Sequence, residues 1–356
     1  MKAIIIAGGL GTRLRPLTYN TPKPIVPLAN RPLVAHQIEL LHKHGINEVI
    51  LNLHYLSDEI KRILEADEKL EVKLDYSIEK TPLGTAGAVK NAEEFFDEGP
   101  LVVFNGDVIA DLNISEILAF HKKKKALVTI TLTAVDDPTS YGLVLMDADQ
   151  RVKEFIEKPS WERVEGVQRK NINAGLYILD PKIFRDVPAN TPYMFERDLF
   201  PRLLLEGAPI YGYETSRYWI DIGNPQKYRQ AHEAILRGEV PVRLYGRREA
   251  GGLWVGENAE IHKSVKLFGP ALIGANVQIE ENALIREYSV LGDRMRVGAN
   301  AEIANSILWA GTTVGKGAKV KGCIIGFDCR IEEGAKLDGA ILADRTIITK
   351  GTTMYA

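Results

Sequence analysis

The chain has 356 residues, 45% of them apolar and 26% charged, which is long enough for two globular domains and too apolar for a disordered chain. Forty-five basic residues stand against 47 acidic ones, a net charge of −2, so the overall balance excludes a general binder of nucleic acid or acidic membranes. No apolar run approaches the length of a bilayer span, and Cys323 and Cys329 lack CxxC spacing, so a cytoplasmic protein with no membrane partner is expected.

Met1 to Leu10 is apolar but short, and runs into Gly8, Gly9, Arg13 and Arg15 with no small-residue cleavage site. It reads as a strand, Lys2–Ala7, and not as a signal peptide. Pro32 to His44 carries Leu33, Ile38, Leu40 and Leu41, with proline at its entrance and Gly45 after its end, the pattern of a helix covering a sheet. Glu48–Leu53 and Leu101–Phe104 read as further strands. Lys122 to Lys125 read as the solvated last turn of a helix and not as a nucleic-acid patch. Strands alternating with helices over residues 1–235 imply an α/β domain with a mostly parallel, Rossmann-like sheet. Leu236 to Gly252 has proline, several glycines and arginines but no period, so residues 236–254 read as a linker.

Residues 255–356 carry an internal repeat. Val255, Ile261, Leu267, Ile273, Ile279, Ile285, Leu291, Val297 and Ile303 stand six apart, and the position four further on is small or apolar: Ala259, Val265, Ala271, Val277, Ala283, Ser289 and Ala301. The count slips by one to Leu308, Val314 and Val320, and again to Ile325, Ile331 and Leu337. A period of six builds one flat face of a triangular parallel β-helix, each aliphatic residue stacking on its equivalent in the next coil. About five coils fit in this length.

The chemistry-bearing run is Gly8-Gly9-Leu10-Gly11-Thr12-Arg13-Leu14-Arg15-Pro16-Leu17-Thr18, followed by Thr21-Pro22-Lys23-Pro24. It follows directly on a buried strand, at the carboxyl edge where open α/β sheets bind ligands. Three glycines let backbone N–H groups approach a phosphate chain, and Arg13 and Lys23 bring charge to it. Neither a Walker loop nor a GxGxxG fingerprint is present, since GKS or GKT is missing and Leu14 stands in place of the third glycine. Asp107 and Asp221 follow short apolar strands, Leu101–Phe104 and Tyr218–Ile220. Taken alone, each reads more readily as a turn or helix cap than as a metal ligand.

The run resembles the signature of sugar-1-phosphate nucleotidyltransferases, GxGTRLxPLT followed by PKP. Pro82-Leu83-Gly84-Thr85-Ala86-Gly87, Asn105-Gly106-Asp107, Tyr141-Gly142, Glu157-Lys158-Pro159, Asn173-Ala174-Gly175 and Trp219-Ile220-Asp221-Ile222-Gly223 follow in the family's order. Within the family the pattern is closest to GDP-mannose pyrophosphorylases, whose chains also carry a left-handed hexapeptide β-helix. The resemblance implies a nucleoside triphosphate, GTP, and a sugar 1-phosphate, mannose 1-phosphate, as substrates. It implies Mg²⁺ on Asp107 and Asp221. Leu10, Gly11, Thr12, Arg13, Lys23, Glu79, Pro82, Gly84 and Asp107 would bind nucleotide, with Glu79 reading guanine. Gly142, Glu157, Lys158, Asn173 and Gly175 would bind the sugar phosphate. UTP, dTTP or ATP in place of GTP, and glucose 1-phosphate, stay open.

A hexapeptide acyltransferase would carry a histidine at a coil boundary, and residues 263–356 have none. A catalytically silent regulatory subunit is the other alternative, disfavoured by the joint presence of Arg13, Lys23, Asp107, Lys158 and Asp221. The tail is expected to assemble a homo-oligomer. Its removal after about Gly252 is expected to leave a folded domain that retains every one of these motifs.

Overall fold

The computed structural model describes residues 1–355. By compactness the chain forms two units, one of Met1–Gly9 with Gln37–Ile220, the other of Leu10–His36 with the chain from Asp221 onward.

The first unit is built on a nine-stranded mixed sheet. Ala3–Ile6 lies between Glu48–Leu53 and Leu101–Asn105, parallel to both, and Lys73–Ile78 extends that parallel edge. Ala3, Ile4, Ile5, Val49, Leu51, Val102, Val103 and Phe104 are buried, as unbroken apolar runs require in strands covered on both faces. The helix after the signature loop runs Leu33–Lys43, and the chain turns out of it at Gly45, whose φ is 78°. On the other side of Leu101–Asn105 the sheet turns antiparallel through Asn171–Leu179, which also pairs with Val128–Ala134 across a register shift between Asn173 and Tyr177. Gly142–Met146 and Val152–Glu157 form a hairpin beside it. Ile114–Lys124 is the helix that ends in lysines, with Lys125 left-handed after it.

In the second unit three parallel sheets wind a left-handed β-helix. Each face carries six successive coil strands, one more than the count of about five from the repeat. Ile273, Ile279, Ile285, Leu291, Val297 and Ile303 are buried in one continuous core, with Ala271, Val277, Ala283 and Ala301 in the positions between. The slips in the repeat have a structural meaning. Ile273 pairs with Leu291, eighteen residues on, whereas Leu291 pairs with Leu308 and Leu308 with Ile325, seventeen on. The residue is lost at one corner of the triangle, where Asn305, Gly322 and Gly339 all adopt left-handed φ. The helix Pro225–Arg237, capped by the Asn224 side chain on the Lys227 N–H, belongs to this unit, and so does the signature loop. No helix among the described residues is long and apolar enough to cross a membrane.

Candidate active site

The sequence-predicted residues fall into two groups, Glu79, Pro82, Gly84, Asp107, Gly142, Glu157, Lys158, Asn173 and Gly175 in the first unit, and Leu10, Gly11, Thr12, Arg13, Lys23 and Asp221 in the second.

In the first unit the motifs occupy breaks in the sheet. Asn173, Ala174 and Gly175 lie at the register shift in Asn171–Leu179, where side chains leave the ladder and can be re-aimed. Asn173 donates to the Tyr177 hydroxyl at 2.7 Å and accepts from the Gly175 N–H at 3.0 Å. Gly175 has a φ of 74° and packs so close to Asn105 that a Cβ would stand 2.9 Å from its Nδ2. Burial, with the Glu196 and Asp107 carboxylates in the same field, pushes the Tyr177 hydroxyl well above the usual tyrosine range. Asp107 sits in the turn between Leu101–Asn105 and Val108–Ala110. Its neighbour Gly106 lies flush on the first strand, donating its N–H to the Ile6 carbonyl at 2.9 Å with no room for a Cβ.

Glu157 pairs opposite Gly142, and a Cβ on Gly142 would strike the Phe155 ring at 2.4 Å. Lys158 is left-handed at φ 48°, with its N–H on the Tyr141 carbonyl. Its side chain is 60% exposed and its ammonium is 3.9 Å from Glu157, a reach suited to an anionic ligand. Trp219 closes this wall, donating to the Ala174 carbonyl at 2.7 Å and meeting Tyr141 edge to face.

Glu79 is buried, and burial raises its carboxyl pKa. Its Oε2 accepts the Leu83 N–H at 2.8 Å, bracing the turn that carries Pro82 and Gly84 into the helix Gly84–Asn91. Gly84, at φ 72°, has Met194 and the Tyr193 carbonyl within 3 Å of where a Cβ would stand.

In the second unit Leu10 and Thr12 are exposed, and Gly11 turns the chain at φ 62° into a single 3-10 turn, Thr12–Leu14. The Thr18 hydroxyl donates to the Gly11 carbonyl at 2.7 Å, and a Cβ on Gly11 would lie 3.1 Å from the Lys23 Cβ, so the two basic arms of the loop are packed together. At Gly223 a Cβ would stand 2.7 Å from the Asp221 carboxylate and 3.3 Å from the Arg13 guanidinium. The missing side chain leaves one narrow space that both groups border. Lys227 contacts Asp221 directly as an ion pair.

Two functional candidates escape sequence reasoning. Glu196 is half-buried, takes a hydrogen bond from Thr85 at 3.0 Å, and has its carboxyl pKa raised first by desolvation and also by the charge of Glu157. Lys227 brings a cation to Asp221. Lys227 could have been found by its place six residues after Asp221 on the first turns of a helix, whereas Glu196 lies in no motif recognised in the sequence.

Residues 2–238 match the family described as nucleotidyl transferase, and residues 250–354 match the EIF2B subunit epsilon LbH domain. The chain is 35% identical over 324 residues to the probable mannose-1-phosphate guanylyltransferase 3 of Oryza sativa subsp. japonica, covering 88% of this chain and 87% of that one. It is 32% identical over 324 residues to the UTP–glucose-1-phosphate uridylyltransferase of Synechocystis sp., covering 87% and 83%. The crystal structure of HddC from Yersinia pseudotuberculosis complexed with GMP-PN superposes with a TM-score of 0.57 at 33% identity, covering 66% of this chain and 99% of that one. With its sheet, its signature loop and these likenesses together, the chain belongs to the nucleotidyl transferase family, whose substrates are a nucleotide and a sugar phosphate.

Proposed function

We propose that the protein joins GTP to mannose 1-phosphate, forming GDP-mannose and pyrophosphate. The observation that carries the choice is the higher identity to a guanylyltransferase, 35%, than to a uridylyltransferase, 32%, each over an alignment of 324 residues. The 33%-identical neighbour named as complexed with GMP-PN agrees with it. UTP with glucose 1-phosphate is the competing pair, favoured by the second of those relatives.

In this reading the loop Leu10–Thr12 cradles the triphosphate, Lys23 holds it, and Arg13 neutralises charge at the α-phosphate. Lys158 seats the sugar phosphate, with Glu157 accepting hydrogen bonds from sugar hydroxyls and Gly142, Asn173 and Gly175 shaping that pocket. Glu79, Pro82 and Gly84 face the base. The attacking phosphate oxygen is anionic at neutral pH, so no side chain needs to act as base. It forms its bond to the α-phosphorus as the bond to the β-phosphate bridging oxygen breaks, and pyrophosphate leaves with that electron pair.

Members of this family generally use a divalent metal. The chain's donors suit Mg²⁺, because hard carboxylate oxygens are present at Asp107 and Asp221, and Lys227 already places a cation against the second. Bound there, Mg²⁺ would supply charge neutralisation to the phosphates. Self-association through the β-helix belongs to the same reading, with Ile347 and Tyr355 exposed on its last coil.

A pyrophosphate-release screen of GTP, UTP, dTTP and ATP against mannose and glucose 1-phosphates, with Mg²⁺, tests the pairing. GTP with mannose 1-phosphate should give the highest kcat/KM. A higher value for UTP with glucose 1-phosphate would replace this reading with the competing one.

A further inference from the structure

Lys23 is anchored from both sides, and most of the anchors come from beyond residue 220. Two residues before it, the Thr21 hydroxyl donates to Asp344 Oδ2 at 3.0 Å, while Asp344 Oδ1 accepts the Phe327 N–H at 2.8 Å. Four residues after it, the Pro27 carbonyl accepts from the Tyr228 hydroxyl, which itself accepts from Trp309 Nε1 at 2.9 Å. Six residues after it, the Ala29 N–H donates to His232 Nε2 at 3.1 Å, so His232 is neutral and its protonated Nδ1 donates to the Tyr228 carbonyl. Seven residues after it, Asn30 donates to the Leu291 carbonyl at 2.7 Å.

The helix that carries Tyr228 and His232 is itself fixed to the β-helix. Arg229 donates to the carbonyls of Asn305 and Gly322, at 2.8 and 2.6 Å. Those two carbonyls belong to shortened corners, so two of the three one-residue slips in the repeat coincide with docking points for this helix. Tyr228, His232 and Trp309 are buried, and Trp309 packs on Phe327 with ring centroids 4.9 Å apart.

We propose that the β-helix is the seat of the phosphate-binding loop, with Trp309, Tyr228 and Asp344 as positioning residues that hold Lys23 and its neighbour Arg13 in place for the triphosphate. This rests on the reading of the loop as the nucleotide side of the reaction. It gives the tail a task in catalysis apart from assembly. Preorganised charge stabilises a transition state only while it is held, and a 3-10 turn of three residues has little rigidity of its own. The hydrogen bonds from the coils supply what the turn lacks.

The test uses the full chain carrying Trp309→Phe, Tyr228→Phe, both together, or Thr21→Val, with Tyr355→Ser on another face of the last coil as control. Each of the first two should raise the nucleotide KM about tenfold and leave the sugar-phosphate KM within about twofold. The double variant should be no worse than the weaker single, since both remove one relay. Amide exchange at Leu14, Ile25 and Val26 should quicken about tenfold, with Ala3–Ile6 and the control unchanged.

A nucleotide KM and loop exchange equal to wild type in the folded variants would overturn the proposal, as would an equal loss on both substrates with the loop still protected. Thr21→Val repeats the test from the Asp344 end should Trp309→Phe fail to fold. If the wild-type chain turned over no nucleotide with any sugar phosphate, the functional reading would fail, and exchange alone would decide the seat. Quickened exchange supports it, and unchanged protection overturns it.

Discussion

Asn173 and Gly175 are held by each other and by Tyr177, four residues away, whereas Thr21 beside Lys23 is held by Asp344, 323 residues further along the chain. The proposed sugar-phosphate residues occupy a bulge, a hairpin and a tight turn of one sheet, so local backbone geometry places them. The proposed phosphate loop has one 3-10 turn at Thr12–Leu14 and another at Lys23–Ile25, and is hydrogen-bonded to a helix and a β-helix that lie late in the chain. The two halves are therefore vulnerable in different ways. A sheet motif fails through its own backbone, and the loop fails through contacts that no local substitution would suggest.

The largest effect should come from the carboxylates, one in each region. Asp107→Asn and Asp221→Asn keep size and remove a charge, and each should lower turnover about a thousandfold with an unchanged circular dichroism spectrum. Normal activity with normal Mg²⁺ dependence in either variant would remove that residue from the metal site.

The glycines sharpen the contrast at the next level. Gly223→Ala would push apart Arg13 and Asp221, two side-chain ends that can move at little cost to the fold. It should cut kcat/KM for the nucleotide about a hundredfold while leaving the melting temperature nearly unchanged. Gly175→Ala is strained by its φ of 74° and by Asn105, so it should cost roughly 1 kcal/mol of stability and weaken the sugar phosphate first. If both variants hit the same substrate equally, the two regions do not divide the labour as proposed. Lys158→Ala should raise the sugar-phosphate KM about tenfold with little change for GTP. An effect confined to the nucleotide would mean that the two phosphate roles are exchanged.

A pH dependence of stability beneath the loop sharpens the comparison from the folding side. Burial, with His36 and Arg229 adding to it against the Tyr228 carbonyl, holds the His232 imidazole down at about 4 from its ordinary 6.5. The unfolded chain therefore binds a proton that the folded chain refuses between those values. The contribution of the neutral ring is complete above pH 6.5 and is lost as the pH falls towards 4, about 3 kcal/mol in all. Urea unfolding from pH 4.5 to 7.5 should show that slope, and His232→Leu should flatten it. An identical slope in the variant would place the titration elsewhere.

Much of this was legible in the sequence where the period was local. Alternating runs announced the parallel strands, and the six-residue stacking announced the β-helix and even its slips. The signature run from Gly8 to Pro24 marked the loop because glycine spacing and basic residues carry phosphate chemistry in themselves. The anchors of that loop were illegible for a physical reason. A hydrogen bond from Trp309 to Tyr228 or from Thr21 to Asp344 leaves no periodic trace, since a tryptophan in a coil or an aspartate in a turn is ordinary there. The sixth coil was missed because the repeat counted from the sequence stops at Leu337, whereas Leu342, Ile348 and Met354 continue it after one more slip. Glu196 was missed because a half-buried carboxylate in the field of Glu157 is created by the packing of distant segments.

The proposed reaction is a single in-line displacement between two bound phosphates with no nucleophilic side chain. Exchange of labelled pyrophosphate into GTP tests it directly, using the full chain with Mg²⁺. Label should enter GTP only when GDP-mannose or mannose 1-phosphate is present, because the reverse reaction is then the only route back. Exchange with GTP and pyrophosphate alone would reveal a nucleotidyl-enzyme intermediate, and no exchange under any condition would remove the activity itself.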